Sequence, residues 1–108
     1  MQLVSAVANL VDNAVKYSDP GSTVHIAAGV TDGEARIVVT DEGIGIPTRD
    51  LDRIFERFYR VERDRSRERG GSGLGLAIVK HLCHALNAHI SVRSKLGEGS
   101  QFQIVFKP

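Results

Sequence analysis

The chain has 108 residues, with 14 Lys and Arg against 13 Asp and Glu, and its formal net charge at pH 7 is +1. This length suits one domain with a single core. The nearly equal numbers of positive and negative side chains exclude a general basic surface for binding nucleic acid or a membrane. The single cysteine, Cys83, excludes an internal disulfide and a cysteine zinc cluster. With no signal peptide and no long apolar run, we expect a cytoplasmic segment of a larger protein that makes no membrane contact itself.

The first predicted element is a helix over residues 3–17. At about 100° per residue, its apolar positions gather on one side: Leu3, Val7, Leu10, Val11 and Ala14. Asn9, Asn13 and Lys16 share the neighbouring arc, with their polar heads one above another along two turns. This polar stripe suits a chain of phosphates with a bound metal ion. The alternative is an ordinary amphipathic helix whose wet face carries asparagine.

Two strands are predicted next, over residues 23–30 and 34–40. Turn residues at 18–22 end the first helix, and Thr31-Asp32-Gly33 is a hairpin signal between the two predicted strands. Alternation in the second strand places Ala35, Ile37 and Val39 on one face. We therefore expect a sheet with one covered face.

The second strand leads directly into residues 41–47, DEGIGIP. An ionised carboxylate only accepts hydrogen bonds, so Asp41 suits the exocyclic amine of adenine and disfavours the carbonyl of guanine. Glycine at positions 43 and 45 lets a flat ligand approach the backbone. The alternative is a turn with an acidic cap, in which Gly43 and Gly45 serve backbone geometry only.

The next predicted element is a helix over residues 48–58, with Thr48 as its N-cap. Its apolar side consists of Leu51, Ile54, Phe55 and Phe58. Residues 59–72 then form a long charged segment, either a lid or a solvated linker.

A glycine-rich run at residues 70–76 precedes a helix that extends through Leu86. Exposed N–H groups at such a helix start can bind phosphate, although a flexible hinge explains the glycines equally well. Residues 89–94 and 101–106 are predicted as a last hairpin. The element order predicts an α+β two-layer sandwich, with helices on one face of a mixed, largely antiparallel sheet.

Together these motifs resemble the ATP-binding catalytic domain of sensor histidine kinases, with the Bergerat fold that DNA gyrase and MutL share. The resemblance covers nearly the whole chain, residues 1–108, as one domain without the usual preceding strand. NLVDNAVKY at 9–17 resembles the N box, and DEGIG at 41–45 the first glycine box. IFERFYR at 54–60 resembles the F box, GSGLGL at 71–76 the second glycine box, and GEGS at 97–100 the last glycine turn. Asn87-Ala88 stands where the family often has Gly-Gly.

The resemblance implies a role for each matching residue. Asn13 would ligate Mg²⁺, Asn9 would support that end of the site, and Lys16 and Arg60 would contact phosphate, so that Asn13, Lys16 and Arg60 are the implied catalytic residues. Asp41 would bind the adenine amine. The remaining implied nucleotide-site residues are Tyr17, Gly43, Gly45, Ile46, Gly71, Gly73, Leu74, Gly75 and Leu76.

The implied reaction is transfer of the ATP γ-phosphate to a histidine. His25, His81, His84 and His89 all lack the following acidic residue of the family's acceptor site. The acceptor is therefore expected on a separate dimerisation domain of the parent kinase, which would then serve a response regulator. The alternatives are a serine kinase of the anti-sigma type, an ATP-gated dimerisation module of the gyrase type and a degenerate nucleotide sensor without enzymatic activity.

Overall fold

The computed structural model describes residues 2–57 and 75–106. The regular elements are α1 (Gln2–Tyr17), β1 (Val24–Thr31), β2 (Glu34–Asp41), α2 (Gly75–Ala85), β3 (Ala88–Lys95) and β4 (Gly99–Phe106). The strands form one sheet in the order β1-β2-β4-β3, and both helices pack against it. This arrangement confirms the predicted α+β two-layer sandwich. Within the described ranges, all three strand pairings are antiparallel.

The β1–β2 hairpin has a two-residue turn. Asp32 and Gly33 have φ values of 53° and 79°, and Thr31 pairs with Glu34 across the turn. Positive φ at both central residues is the type I′ geometry, whose twist matches that of the flanking strands. The hairpin predicted from Asp-Gly is confirmed.

The core lies between the two helices and the inner face of the sheet. Its buried residues are Ala6, Leu10, Ala14, Val39, Ile54, Val79, Cys83, Phe102 and Ile104. The buried line of α1 is therefore Ala6, Leu10 and Ala14, whereas Val7 and Val11 are only half-buried. The ring of Phe55 meets that of Phe102 edge-on, with 6.3 Å between centroids.

The helix predicted over residues 48–58 is wrong for the described part of that range. A single 3-10 turn, Thr48–Asp50, is followed by further turns in which Arg53 and Glu56 donate to carbonyls three residues earlier. Thr48 is also not the N-cap, since Pro47 occupies that position without a side-chain bond. Apolar residues three apart serve a 3-10 path as well as an α-helix, so Ile54 still reaches the core.

The turn from α2 into β3 has Asn87 at a position where the family often has glycine. Asn87 has a φ of 57°, in the left-handed region that commonly ends helices. Asparagine tolerates this region better than most residues. Among the described residues, no helix has the length and apolar character needed to cross a membrane.

Candidate functional site

Asp41, the last residue of β2, is only 6% exposed. Its Oδ1 accepts hydrogen bonds from the N–H of Gly43 at 2.9 Å and from that of Ser100, its partner on β4, at 3.2 Å. No hydrogen bond within the described ranges reaches Oδ2, which leaves this oxygen as an acceptor. Burial raises the pKa of the Asp41 carboxyl above its usual range, and the two N–H groups offset part of that rise.

The loop after Asp41 is held by its neighbours on two sides. The N–H of Ile44 donates to the carbonyl of Tyr17 at the end of α1, at 3.2 Å. The carbonyl of Ile44 accepts from the N–H of Gly97, in the β3–β4 turn, at 2.8 Å. Further on, the N–H of Ile46 donates to the Ser94 hydroxyl at 2.7 Å. These bonds fix the loop between α1 and the β3–β4 turn, which preorganises the carboxylate of Asp41.

Three glycines allow this close packing of backbone on backbone. A Cβ at Gly43 would lie 2.2 Å from the Tyr17 carbonyl oxygen, and one at Gly45 would lie 2.2 Å from that of Lys95. At Gly99, a Cβ would lie 2.1 Å from the Asp41 carbonyl oxygen. Neighbouring backbone therefore explains Gly43 and Gly45 by itself, as in the alternative reading of this motif. Their contact with a nucleotide base stays a prediction.

The polar stripe of α1 lies beside the start of α2. Asn9 donates its side-chain N–H to the carbonyl of Ser5 at 2.9 Å, which leaves its Oδ1 as an acceptor. That oxygen lies 3.7 Å from the Cβ position of Gly75, the first residue of α2. Asn13 is half-buried and Lys16 is exposed on the same stripe. The structure thus places Asn9, the first residue of the predicted phosphate-binding stripe, beside the predicted phosphate-binding helix start.

The other predicted site residues divide into two groups. Tyr17 and Ile46 are half-buried, and each takes part in one of the hydrogen bonds that hold the loop after Asp41. Leu76 packs on the core. Arg60, Gly71, Gly73 and Leu74 lie outside the described residues, as do Phe58 and the segment 59–72. Their roles stay predictions.

Beside Asp41 lies a serine pair, Ser94 and Ser100, that was not predicted from the sequence. The hydroxyl oxygen of Ser94 lies 2.8 Å from that of Ser100 and 2.9 Å from the carbonyl oxygen of Gly99. Strand alternation gave a usable signal, because Ser94 shares the inward face of β3 with Ile90 and Val92. A hydroxyl at an inward position next to a glycine turn needs polar partners.

Comparisons with known proteins agree on one family. The model for "Histidine kinase-, DNA gyrase B-, and HSP90-like ATPase" matches residues 1–108. The sensor-like histidine kinase SenX3 of Mycolicibacterium smegmatis is 51% identical over 102 residues, which cover 94% of this chain and 27% of that protein. The chain therefore spans about a quarter of this relative's length.

Two solved structures share the fold and part of the sequence. The mycobacterial sensor histidine kinase MprB superposes with a TM-score of 0.84 at 37% identity, covering 99% of this chain and 72% of that one. Full-length ShkA in complex with AMPPNP gives a TM-score of 0.83 at 33% identity, covering 96% of this chain and 21% of that one. Fold, motifs and relatives thus agree that the chain belongs to the histidine kinase-, DNA gyrase B- and HSP90-like ATPase family, as an ATP-binding catalytic domain of the sensor histidine kinase type.

Proposed function

We propose that this chain binds ATP with Mg²⁺ and presents the γ-phosphate to a histidine on a separate dimerisation domain of a two-component sensor kinase. The buried Asp41 carboxylate carries the proposal, because one oxygen is fixed by two N–H groups while the other is left to accept. A hydrogen-bond acceptor held in this way suits the exocyclic amine of adenine. The complex of ShkA with AMPPNP, an adenine nucleotide analogue, supports the same ligand class.

The stripe on α1 would serve the phosphate end of the nucleotide. Asn13 offers an amide oxygen of the kind that Mg²⁺ accepts, and the Asn9 oxygen faces the start of α2 nearby. These donors fit the metal, and Asn13 would hold it. When bound, Mg²⁺ would neutralise charge on the phosphates. The Lys16 ammonium, Arg60 and the N–H groups at the start of α2 would bind and orient the phosphate oxygens.

The chemical step needs positioning more than covalent participation by this chain. An imidazole nitrogen of the acceptor histidine attacks the γ-phosphorus, a P–N bond forms, the bond to the β–γ bridging oxygen breaks, and ADP leaves. Lys16 and Arg60 would stabilise the negative charge that develops on the transferred group. The phosphorylated histidine would then supply a response regulator through the parent kinase.

Calorimetric titration of the chain with ATP and Mg²⁺ tests the site. Asp41→Asn replaces a carboxylate oxygen by an amide that can present a donor, so we expect ATP binding to weaken by at least tenfold. Asn13→Ala should abolish the dependence of ATP binding on Mg²⁺. Asp32→Asn is the matched control, because Asn-Gly also favours the type I′ turn, and its affinity should equal that of the wild type. Unchanged affinity in both site variants would contradict the assignment.

Phosphoryl transfer is tested with ATP radiolabelled on the γ-phosphate. The chain alone should incorporate no label, and addition of the histidine-bearing dimerisation domain of the parent kinase should give a product that is labile in acid. Acid-stable label on the chain alone would contradict a histidine acceptor and favour a serine or threonine target.

A further inference from the structure

The hydrogen-bond directions in the serine pair beside Asp41 follow from counting hydrogens. The Ser94 hydroxyl has one hydrogen and three polar neighbours, the N–H of Ile46, the carbonyl of Gly99 and the hydroxyl of Ser100. The N–H of Ile46 can only donate, and the carbonyl of Gly99 can only accept. Ser94 must therefore give its hydrogen to Gly99, since two oxygens at 2.9 Å without a hydrogen would repel each other.

The direction of the bond between the two serines is then settled as well. With its own hydrogen committed to Gly99, Ser94 can only accept from Ser100 at 2.8 Å. Ser100 thus spends its single hydroxyl hydrogen on Ser94. Its remaining lone pairs can only accept hydrogen bonds. At the same time, the backbone N–H of Ser100 donates to Asp41 Oδ1.

We infer that Ser94 is a specificity-determining positioning residue for the nucleotide base. Asp41 and Ser100 are paired across β2 and β4, so their side chains lie next to each other on one face of the sheet. By taking the hydroxyl hydrogen of Ser100, Ser94 keeps Ser100 an acceptor beside the Asp41 carboxylate. Two neighbouring acceptors match an exocyclic amine with its two hydrogens and repel a purine that carries a carbonyl at the same position. This inference rests on the proposed function, because it concerns how the same site chooses its base.

Ser94→Ala tests the inference through the ratio of ATP affinity to ITP affinity, since inosine has a carbonyl where adenine has its amine. The substitution frees the Ser100 hydrogen, which can then donate to a carbonyl. We expect the preference for ATP over ITP to fall by at least fivefold, a change of the size that one hydrogen bond gives. Ser94→Thr keeps a hydroxyl on the strand and should restore the preference.

Two further variants separate base selection from loss of structure. Ser91→Ala is the matched control, because Ser91 lies on the same strand with its side chain on the exposed face, and it should keep the wild-type ratio. Ser100→Ala removes the hydroxyl that Ser94 orients but keeps the backbone N–H to Asp41. In that background, adding Ser94→Ala should not change the ratio further.

The outcomes distinguish this inference from the proposed function. Equal weakening of ATP and ITP by Ser94→Ala would show a purely structural role and would overturn the inference, as would an unchanged ratio. Both results would leave ATP binding by the wild type intact, and with it the proposed function. Absence of ATP binding by the wild-type chain would contradict the proposed function and the inference together.

Discussion

At the residue scale, Asp41 is buried against an environment that opposes its charge. Desolvation raises its pKa, and the N–H groups of Gly43 and Ser100 recover part of the lost hydration. A carboxylate in such surroundings is easier to protonate than one on the surface, and protonation turns an acceptor into a donor. The base selection proposed for this position should therefore depend on pH.

We expect the preference for ATP over ITP to decline on acidification and to start declining at a higher pH than the ordinary aspartate pKa of about 4 predicts. The ionised acceptor is fully present above the folded-state pKa and is lost as pH falls through it, and burial moves that point upward. Calorimetric titration with ATP and with ITP at a series of pH values measures this preference. Because both nucleotides carry the same phosphates, the ratio of the two affinities cancels the effect of phosphate protonation. A ratio that stays constant down to pH 4 would contradict the expectation.

At the element scale, the β1–β2 hairpin sets the register of β1, which is the first strand in the order β1-β2-β4-β3 of the described sheet. The Asp32-Gly33 turn determines which residue of β1 faces which residue of β2, and with it the position of Val24 opposite Asp41. A shift by one residue would reverse the faces of β1. The Asp32-Gly33 turn therefore helps to keep β1 paired in register with β2, the strand that ends at Asp41.

Gly33→Ala should lower the free energy of unfolding by about 1 kcal/mol, because Gly33 has a φ of 79° where a side chain is strained. Urea denaturation gives this value. Gly29→Ala is the control in the same hairpin, since it has no positive φ and nothing lies within 4 Å of its Cβ position. Its change should stay within about 0.5 kcal/mol. Equal losses in both variants would show that turn geometry is not the cause.

The sequence predicted an element correctly where its residues favour a single local structure. It predicted wrongly where the same residues suit two structures. Asp32-Gly33 predicts a hairpin, and the structure has one, with type I′ geometry at the turn. Around Leu51 and Ile54, the same apolar spacing suits an α-helix and successive 3-10 turns, and the structure has the turns, with Ile54 packed on the core. At Gly43 and Gly45, the sequence shows that a close approach occurs but not what approaches. Tyr17 and Lys95 are distant in sequence, so only the folded chain reveals them.

At the scale of the whole molecule, β4 joins the two halves of the sheet. It pairs with β2 on one side and with β3 on the other, and Phe102 and Ile104 on its inner face are fully buried. Phe102 also meets Phe55 from the turns after Pro47. The core and the Asp41 site thus depend on the same strand.

Phe102→Ala should therefore cost about 3–5 kcal/mol of unfolding free energy, as removal of a buried aromatic ring does. Val30→Ala, on the edge strand with Val30 74% exposed, should cost less than about 1 kcal/mol. Thermal and urea denaturation of both variants measures these changes. A small loss for Phe102→Ala would contradict the central position of β4 in the core.

The inner position of β4 also has a consequence for how the chain folds during synthesis. The bond between Asp41 and Ser100 spans 59 residues, and β4 follows the three other strands of residues 2–57 and 75–106 in chain order. On the ribosome, β2 and β3 would be made before β4, the strand that pairs with both of them. The pairing of β2 with β4 joins residues far apart in sequence, which is a contact of high contact order. The Asp41 site would then be complete only after β4 has been made, so that a product truncated before β4 would lack the bond from Ser100 to Asp41.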